Sequence, residues 1–287
     1  MAGMITPAGS GAPGTQGRTR AAAREMAPWV EPLARAGYAT KGAVYLIIGI
    51  LAAQAAFGAG GAVTDSEGAF ATILRQPLGQ LLLVLVAVGL FGYALWRLVT
   101  AVADTEREGS DARGIAVRTG FAARALVYAG LGVQALRLVS GNGGGSGGDR
   151  AEDWTARALA LPAGRWLVGL AGAGVVVYGL YQLRRAKDGD IRDRLDLSEL
   201  GARGARWVVR IGQVGVAARA VVFAMIGWFL IRAAWEANAE RAGGLGDALR
   251  GLAGAAYGPW VLGLVALGLA AFGVWQVVNA RYRRIGV

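Results

Sequence analysis

Six long stretches of the chain are almost entirely apolar, and polar connections separate them. Each stretch reaches the roughly 20 residues that a helix needs to cross a bilayer. The predicted spans are residues 40–58, 78–103, 120–140, 164–184, 214–235 and 258–280. A soluble protein would bury such helices beneath a polar shell, and a chain of 287 residues with six of them has no such shell. The pattern therefore predicts an all-α integral membrane protein with six transmembrane helices.

The first helix of each successive pair repeats one motif. The three copies read "ARAGYATKGAVYLIIG", "VRTGFAARALVYAGLG" and "GQVGVAARAVVFAMIG". The matched basic positions are Lys41, Arg124 and Arg219, and the matched aromatic positions are Tyr45, Tyr128 and Phe223. Two glycine positions also recur, at Gly37, Gly120 and Gly215, and at Gly49, Gly132 and Gly227. Three copies of one pattern indicate an internal repeat.

The second helix of each pair repeats as well, as "GLFGYALWR", "GVVVYGLYQ" and "GLAAFGVWQ". These copies match at Gly89, Gly174 and Gly268, at Tyr93, Tyr178 and Phe272, and at Trp96, Tyr181 and Trp275. The residue that directly follows Trp96, Tyr181 or Trp275 is polar in every copy, namely Arg97, Gln182 and Gln276. We expect the glycines to let helices approach closely. We expect the aromatic and polar side chains to share faces with the cations.

Each pair is joined by a short amphipathic segment, "EGAFATIL", "EDWTARAL" or "GLGDALRGL", which we expect to lie along the outer membrane surface. Each repeat thus crosses the membrane outward, runs along its outer surface and crosses back. The expected architecture is three parallel-oriented helical hairpins in a pseudo-threefold bundle. We place a disordered cytoplasmic tail at 1–27 and the hairpins at 28–104, 105–187 and 188–287.

The repeats resemble a bacterial membrane family described only as domain of unknown function 1206. The resemblance rests on the start "RxGYxxKGxVYxxxG", the second helix "GLxGYxxW[RQ]" and the threefold recurrence, and it covers nearly the whole chain beyond the tail. It implies three two-helix repeats in a bacterial membrane protein. It implies no reaction, because the family has no established one.

Composition removes several classes of function. The chain has no Cys and no His, which argues against thiol nucleophiles, disulfides, His-ligated haem and the usual zinc sites. We find no paired carboxylates, serine triad or phosphate loop, so we expect no enzyme, no catalytic residue, no metal and no cofactor. A net charge of +11 suits nucleic acid or a membrane surface, and the apolar spans favour the membrane over nucleic acid.

Lys and Arg concentrate beside the N-terminus, the second-to-third and fourth-to-fifth connections, and the C-terminus. The positive-inside rule then predicts cytoplasmic termini in a bacterial plasma membrane. The fourth-to-fifth connection mixes both charge signs. We favour a solvated linker there over a surface helix with Ile191, Leu195 and Leu200 on its apolar edge.

The three matched cations have two interpretations. Gly37, Lys41, Tyr45 and Gly49 share one helix face, so snorkelling cations and interfacial aromatics could simply anchor glycine-packed hairpins. Alternatively, a cation near a helix N-terminus opposes the dipole and calls for an anion. Three such sites around the pseudo-threefold bundle would bind three anionic lipid headgroups at the inner leaflet, and the alternative occupant is a small anion inside the bundle. The expected function is a non-enzymatic scaffold or anionic-lipid-binding protein, with an unknown protein partner. The alternative is a channel or carrier for a small anionic or neutral solute.

Overall fold

The structure, a computed structural model, describes residues 15–106, 108–142, 147–187 and 195–283. The described residues form nine α-helices and two short 3-10 turns. The helices are α1 Thr15–Ala56, α2 Ser66–Leu74, α3 Gly79–Ala103, α4 Ala112–Val139, α5 Gly147–Leu159, α6 Gly164–Lys187, α7 Gly201–Glu236, α8 Leu245–Ala253 and α9 Gly258–Tyr282. All six long helices are long and apolar enough to cross a membrane. The all-α architecture of three two-helix repeats is confirmed.

The same tight turn starts the second long helix of every repeat. Leu78, Ala163 and Tyr257 adopt left-handed backbone conformations, with φ of 61°, 60° and 59°. Each is followed by a glycine at the first helical position. A Cβ on any of these glycines would lie 2.0–2.3 Å from a carbonyl oxygen of the preceding short helix. Because only glycine fits there, the turn fixes how each short helix meets the returning helix.

The six long helices pack side by side in a ring, in the order α1, α3, α4, α6, α7, α9. Helices α1 and α3 pack within the first hairpin, and α7 and α9 within the third. Between repeats, α3 packs on α4, α6 on α7, and α9 on α1. The second hairpin differs, because α4 and α6 do not pack along each other as the other two pairs do. The pseudo-threefold bundle is therefore open at one of its six junctions.

The short helices mark one end of the bundle and the chain termini the other. Both Thr15 and Arg283 lie on what we call the terminal side. On the opposite side, Phe70 of α2 and Leu249 of α8 are buried in the main core with Leu83 and Leu269 of the long helices. These two short helices therefore fold onto the bundle and close its end. The sequence predicted instead that they lie along the membrane surface. In α5, by contrast, Trp154 is exposed.

Two predictions for the terminal side need correction. The predicted tail 1–27 is helical from Thr15 onward, because α1 continues through a segment rich in Ala and Arg, which favour helix. Residues 1–14 lie outside the described residues. The fourth-to-fifth connection is also more than a solvated linker, because Leu195 and Leu197 are buried against α7 and Tyr282. Ile191 lies outside the described residues, and Leu200 packs beside this cluster.

Candidate functional site

The three matched cations meet in one cavity inside the terminal half of the bundle. Lys41 of α1, Arg124 of α4 and Arg219 of α7 all line it, and its volume is about 150 Å³. Around them stand Tyr38, Tyr93, Arg97, Phe121, Tyr128, Tyr178, Tyr181, Gln182, Val216, Phe272, Trp275, Gln276 and Arg283. All lining residues except Arg283 occupy matched positions of the repeats. The cavity is therefore built by the threefold pattern.

Aromatic pairs between neighbouring repeats lie at this cavity, and at least one ring of each pair lines it. Tyr45 packs edge-on against Phe272, with ring centroids 4.8 Å apart, and Tyr128 packs against Tyr93 at 4.6 Å. The third pair, Phe223 with Tyr178, has a centroid separation of 5.6 Å. Each pair joins a first helix to the second helix of the adjacent repeat. The sequence predicted that these aromatic residues share helix faces with the cations. In the structure they also form contacts between neighbouring repeats.

Lys41 is enclosed by aromatic rings, and no anionic partner for it occurs among the described residues. Its side chain is 4% exposed, and its Nζ lies 5.0 Å from the ring centroids of Tyr93 and Tyr128 and 5.4 Å from that of Phe272. In the part of the chain that the structure describes, Nζ makes no hydrogen bond or ion pair. Cation–π attraction offsets part of the cost of burying the ammonium group, and the remaining positive charge favours an anion.

The two matched arginines are also without carboxylate partners among the described residues. Arg124 donates through Nη2 to the Tyr178 hydroxyl and lies 5.0 Å from the same ring. Arg219 lies 4.6 Å from the ring of Phe223 and 4.8 Å from that of Phe272. Among the described residues that line the cavity, three buried N–H donors find no acceptor, namely Arg219 Nε, Gln182 Nε2 and Trp275 Nε1.

One carboxylate does reach the edge of the site, and it is shared by two other arginines. Glu106 Oε1 accepts from Arg97 Nη1 at 3.2 Å and from Arg283 Nη2 at 2.8 Å. Arg97 also donates to the hydroxyls of Tyr93 at 3.0 Å and Tyr38 at 2.7 Å. The cavity lining thus carries five cations against this single described carboxylate. Such an excess in a confined space strongly favours a bound anion.

The helix-dipole argument for these cations is wrong. Helices α1, α4 and α7 begin at Thr15, Ala112 and Gly201, so the cations lie several turns inside them. The dipole acts only within the first and last turns. Other side chains do meet helix ends: Arg35, Arg118 and Arg165 donate to carbonyls in the last turns of α9, α3 and α7 at 2.6–3.1 Å. Glu236, at the opposite end of the bundle, pairs with Arg232 and Arg241.

The predicted packing glycines fall into three groups. Gly37, Gly89, Gly215 and Gly268 make close contacts within their own hairpins. The set Gly49, Gly132 and Gly227 instead contacts the second helix of a neighbouring repeat, and a Cβ on Gly49 would lie 2.6 Å from Ala270 N. At Gly120 and Gly174 a Cβ would meet nothing within 4 Å. Trp96 is buried beside the site with Tyr38 and Tyr93 but does not line the cavity.

Several members of the site carry no clear repeat signal. Glu106 and Arg283 lie outside the matched segments, and their pairing joins the first repeat to the chain's C-terminal end. Tyr38 and Phe121 each follow a matched glycine of the motif. The third copy has Val216 at this position, so the three copies do not show a shared aromatic residue there. A search for aromatics three residues before each cation would have found two of the three.

The fold and the cavity define a class of protein, a bundle of three parallel helical hairpins with six membrane-capable helices and a shared polar centre. The model of the family called Domain of Unknown Function (DUF1206) matches residues 36–104, 119–188 and 214–283, one match for each hairpin. The chain belongs to this family. It is 36% identical over 262 residues to "Uncharacterized protein YxxB" of Bacillus subtilis (strain 168), covering 91% of this chain and 94% of that relative. No solved structure matches the chain.

Proposed function

We propose that this protein binds the phosphate group of an anionic phospholipid in the shared cavity and acts as a non-enzymatic membrane scaffold. The supporting observation is the convergence of Lys41, Arg124 and Arg219 on one cavity without carboxylate partners among the described residues. A phosphate group brings negative charge and several acceptor oxygens. It would engage the unsatisfied donors of Arg219, Gln182 and Trp275 as well as the cations.

The size and position of the cavity support a headgroup as the occupant. A volume of about 150 Å³ greatly exceeds the roughly 30 Å³ that one water occupies in the liquid. The cavity lies toward the terminal side, for which the distribution of Lys and Arg predicts a location in the cytoplasm beneath a bacterial plasma membrane. Anionic phospholipid in that leaflet would supply the phosphate directly.

A continuous pathway for a free solute has less support. Between the cavity and the opposite side, the bundle is filled by a hydrophobic core that includes Ile48, Leu83, Leu90 and Leu269. A channel would need this core to open, whereas a headgroup site does not. A flux assay in liposomes separates the two functions, because the scaffold proposal predicts no anion flux above that of empty liposomes.

The test removes the three charges and measures bound lipid. The variant Lys41→Gln, Arg124→Gln and Arg219→Gln keeps hydrogen-bonding groups but loses three positive charges. Native mass spectrometry would then compare occupancy by phosphatidylglycerol with occupancy by neutral phosphatidylcholine. If each cation contributes about 1 kcal/mol and the effects add, phosphatidylglycerol affinity should fall by about two orders of magnitude.

A matched control removes the same charge elsewhere on the terminal side. Arg203, Arg206 and Arg210 are exposed along the first turns of α7 and line no part of the cavity. Their triple Gln variant should retain most of the bound phosphatidylglycerol. Equal losses in the two triple variants would reject the cavity as the site and leave the matched cations as membrane anchors.

A further inference from the structure

The second hairpin is open along a face that the other two hairpins close. A Cβ on Gly37 would lie 2.5 Å from Tyr93 Cβ, and a Cβ on Gly215 would lie 2.5 Å from Phe272 Cα. At the matched Gly120 nothing lies within 4 Å. The second helices show the same contrast, because Gly89 and Gly268 meet the first helix of their hairpins whereas Gly174 meets nothing. Helices α4 and α6 therefore border a cleft.

Side-chain exposure at a second matched position agrees with this difference. Val44 and Val222 are 4% and 2% exposed, because their hairpins are closed, and the matched Val127 is 61% exposed. The sequence also offers a cause. In the first hairpin, a Cβ on Gly92 would approach the Leu33 carbonyl oxygen at 2.7 Å. The second hairpin carries Val177 at the position of Gly92, and this side chain is too large for the same approach.

The cleft is apolar, lies within the membrane-capable length of α4 and α6, and reaches the cavity. Its walls include Ala123, Val127, Gly174 and Val177, all of them exposed. At its terminal-side end, Arg124 of α4 and Tyr178 of α6 are hydrogen-bonded to each other, and both line the cavity. An apolar groove at the depth of the hydrocarbon thus ends at the three matched cations, which have no carboxylate partner among the described residues.

We propose that the cleft between α4 and α6 is a lateral entrance from the bilayer, in which one acyl chain of the bound phospholipid lies while its phosphate occupies the cavity. This inference rests on the proposed function and adds the route of entry and the site of the chain. Only an amphiphile with a negative head matches both the apolar walls and the cationic end. A helix from a second copy would fill the groove but would leave the cations without counter-charge.

The other junctions of the ring do not provide such an entrance. Gly42 of α1 meets the Gly273 carbonyl oxygen of α9, and Gly227 of α7 meets the Gly172 carbonyl oxygen of α6, at built Cβ distances of 2.8 and 2.6 Å. Gly132 of α4 meets the ring of Phe91 on α3 at 3.0 Å. Together with the two closed hairpins, these contacts seal the remaining five junctions at the positions given. Among the described helices, the α4–α6 junction alone lacks such packing.

The experiment fills the cleft without touching the cations. In the double variant Ala123→Leu and Gly174→Leu, both new side chains enter open space, so the fold should tolerate them. The matched control is Ala173→Leu on the bilayer-facing side of α6, where the first and third repeats carry the exposed residues Val88 and Leu267. Binding of phosphatidylglycerol is measured by native mass spectrometry, and binding of inorganic phosphate is measured by the thermal stabilisation of the protein.

We expect the double variant to weaken phosphatidylglycerol binding about tenfold or more, equivalent to losing the burial of roughly two methylene groups. Inorganic phosphate should stabilise the double variant as much as the parent, and the control should bind both ligands normally. Unchanged lipid binding in the double variant would overturn the lateral entrance while leaving the cavity proposal intact. Loss of phosphate binding in the charge-removed triple variant is the separate test of the cavity.

Two further outcomes would also overturn the inference. If the double variant loses the response to inorganic phosphate together with the lipid, the leucines act by deforming the cavity and the cleft has no role of its own. If native mass spectra of the parent show a dimer that the double variant converts to a monomer, the cleft holds a second copy of the chain. In that case lipid occupancy per protomer should be the same in both forms.

Discussion

The difference between the hairpins predicts opposite stability effects for one substitution at matched positions. Replacing glycine by alanine within a helix gains about 1 kcal/mol of intrinsic helix propensity. At Gly215 the added methyl group would lie 2.5 Å from the Phe272 backbone, and at Gly37 it would lie 2.7 Å from the Tyr93 backbone nitrogen. Neither backbone can move without moving a whole helix. Such overpacking costs about 1–3 kcal/mol.

The expected order follows from these two contributions. Gly120→Ala should raise the free energy of unfolding by up to about 1 kcal/mol, because its methyl group meets no neighbour within 4 Å. Gly37→Ala and Gly215→Ala should lower the free energy of unfolding. With an overpacking cost of about 2–3 kcal/mol and a propensity gain of about 1 kcal/mol, the net loss is about 1–2 kcal/mol. Titration with sodium dodecyl sulfate from mild detergent micelles, followed by circular dichroism, measures this free energy. Equal destabilisation at all three positions would show that the second hairpin is closed like the others and would refute the open junction.

Glu106, Leu195 and the loops on the two sides of the bundle allow three separate tests. Glu106→Gln removes the carboxylate shared by two arginines, so it should lower the free energy of unfolding by about 1–3 kcal/mol and strengthen phosphate binding, both measurable by thermal unfolding with and without phosphate. Leu195→Ala, at a side chain 3% exposed, should cost about 2–4 kcal/mol in chemical unfolding, and a cost near zero would mean that the connection is solvated as first predicted. Reporter fusions at Gly109 and Gly141 should report opposite sides of the membrane, and reports from the same side would contradict the topology.

Much of the architecture was readable from the sequence because each repeat supplies an alignment for the others. The matched positions of Lys41, Arg124 and Arg219 predicted three equivalent lipid sites around the bundle, whereas the structure brings all three cations to one shared cavity. The six spans were predicted because apolarity over about 20 residues directly reports the bilayer requirement. Their ends were less well predicted, because α1 and α7 extend well beyond the apolar stretches on the terminal side.

The parts that sequence reasoning missed depend on asymmetry between the repeats. Hydrophobic pattern alone does not show that the second hairpin is open, although Val177 in place of Gly92 is a local sign of it. The shared role of Glu106 with Arg97 and Arg283 was also hidden, because ion pairs between distant segments follow from tertiary packing and have no spacing in the chain. The dipole argument failed because it took the start of the apolar stretch for the start of the helix.

The central claim is that a phosphate group occupies the cavity beside Lys41, and one distance tests it directly. The chain contains two lysines, Lys41 and Lys187, so a Lys187→Arg variant labelled with ¹⁵N-lysine carries a single labelled ammonium group. Solid-state nuclear magnetic resonance in phosphatidylglycerol liposomes then measures dipolar dephasing of this nitrogen by lipid phosphorus. A charge-assisted N–H···O contact of about 2.8 Å places nitrogen and phosphorus within about 4 Å, so we predict strong dephasing that disappears in a background of phosphatidylcholine alone. A Lys41 signal without phosphorus dephasing in phosphatidylglycerol would contradict the account.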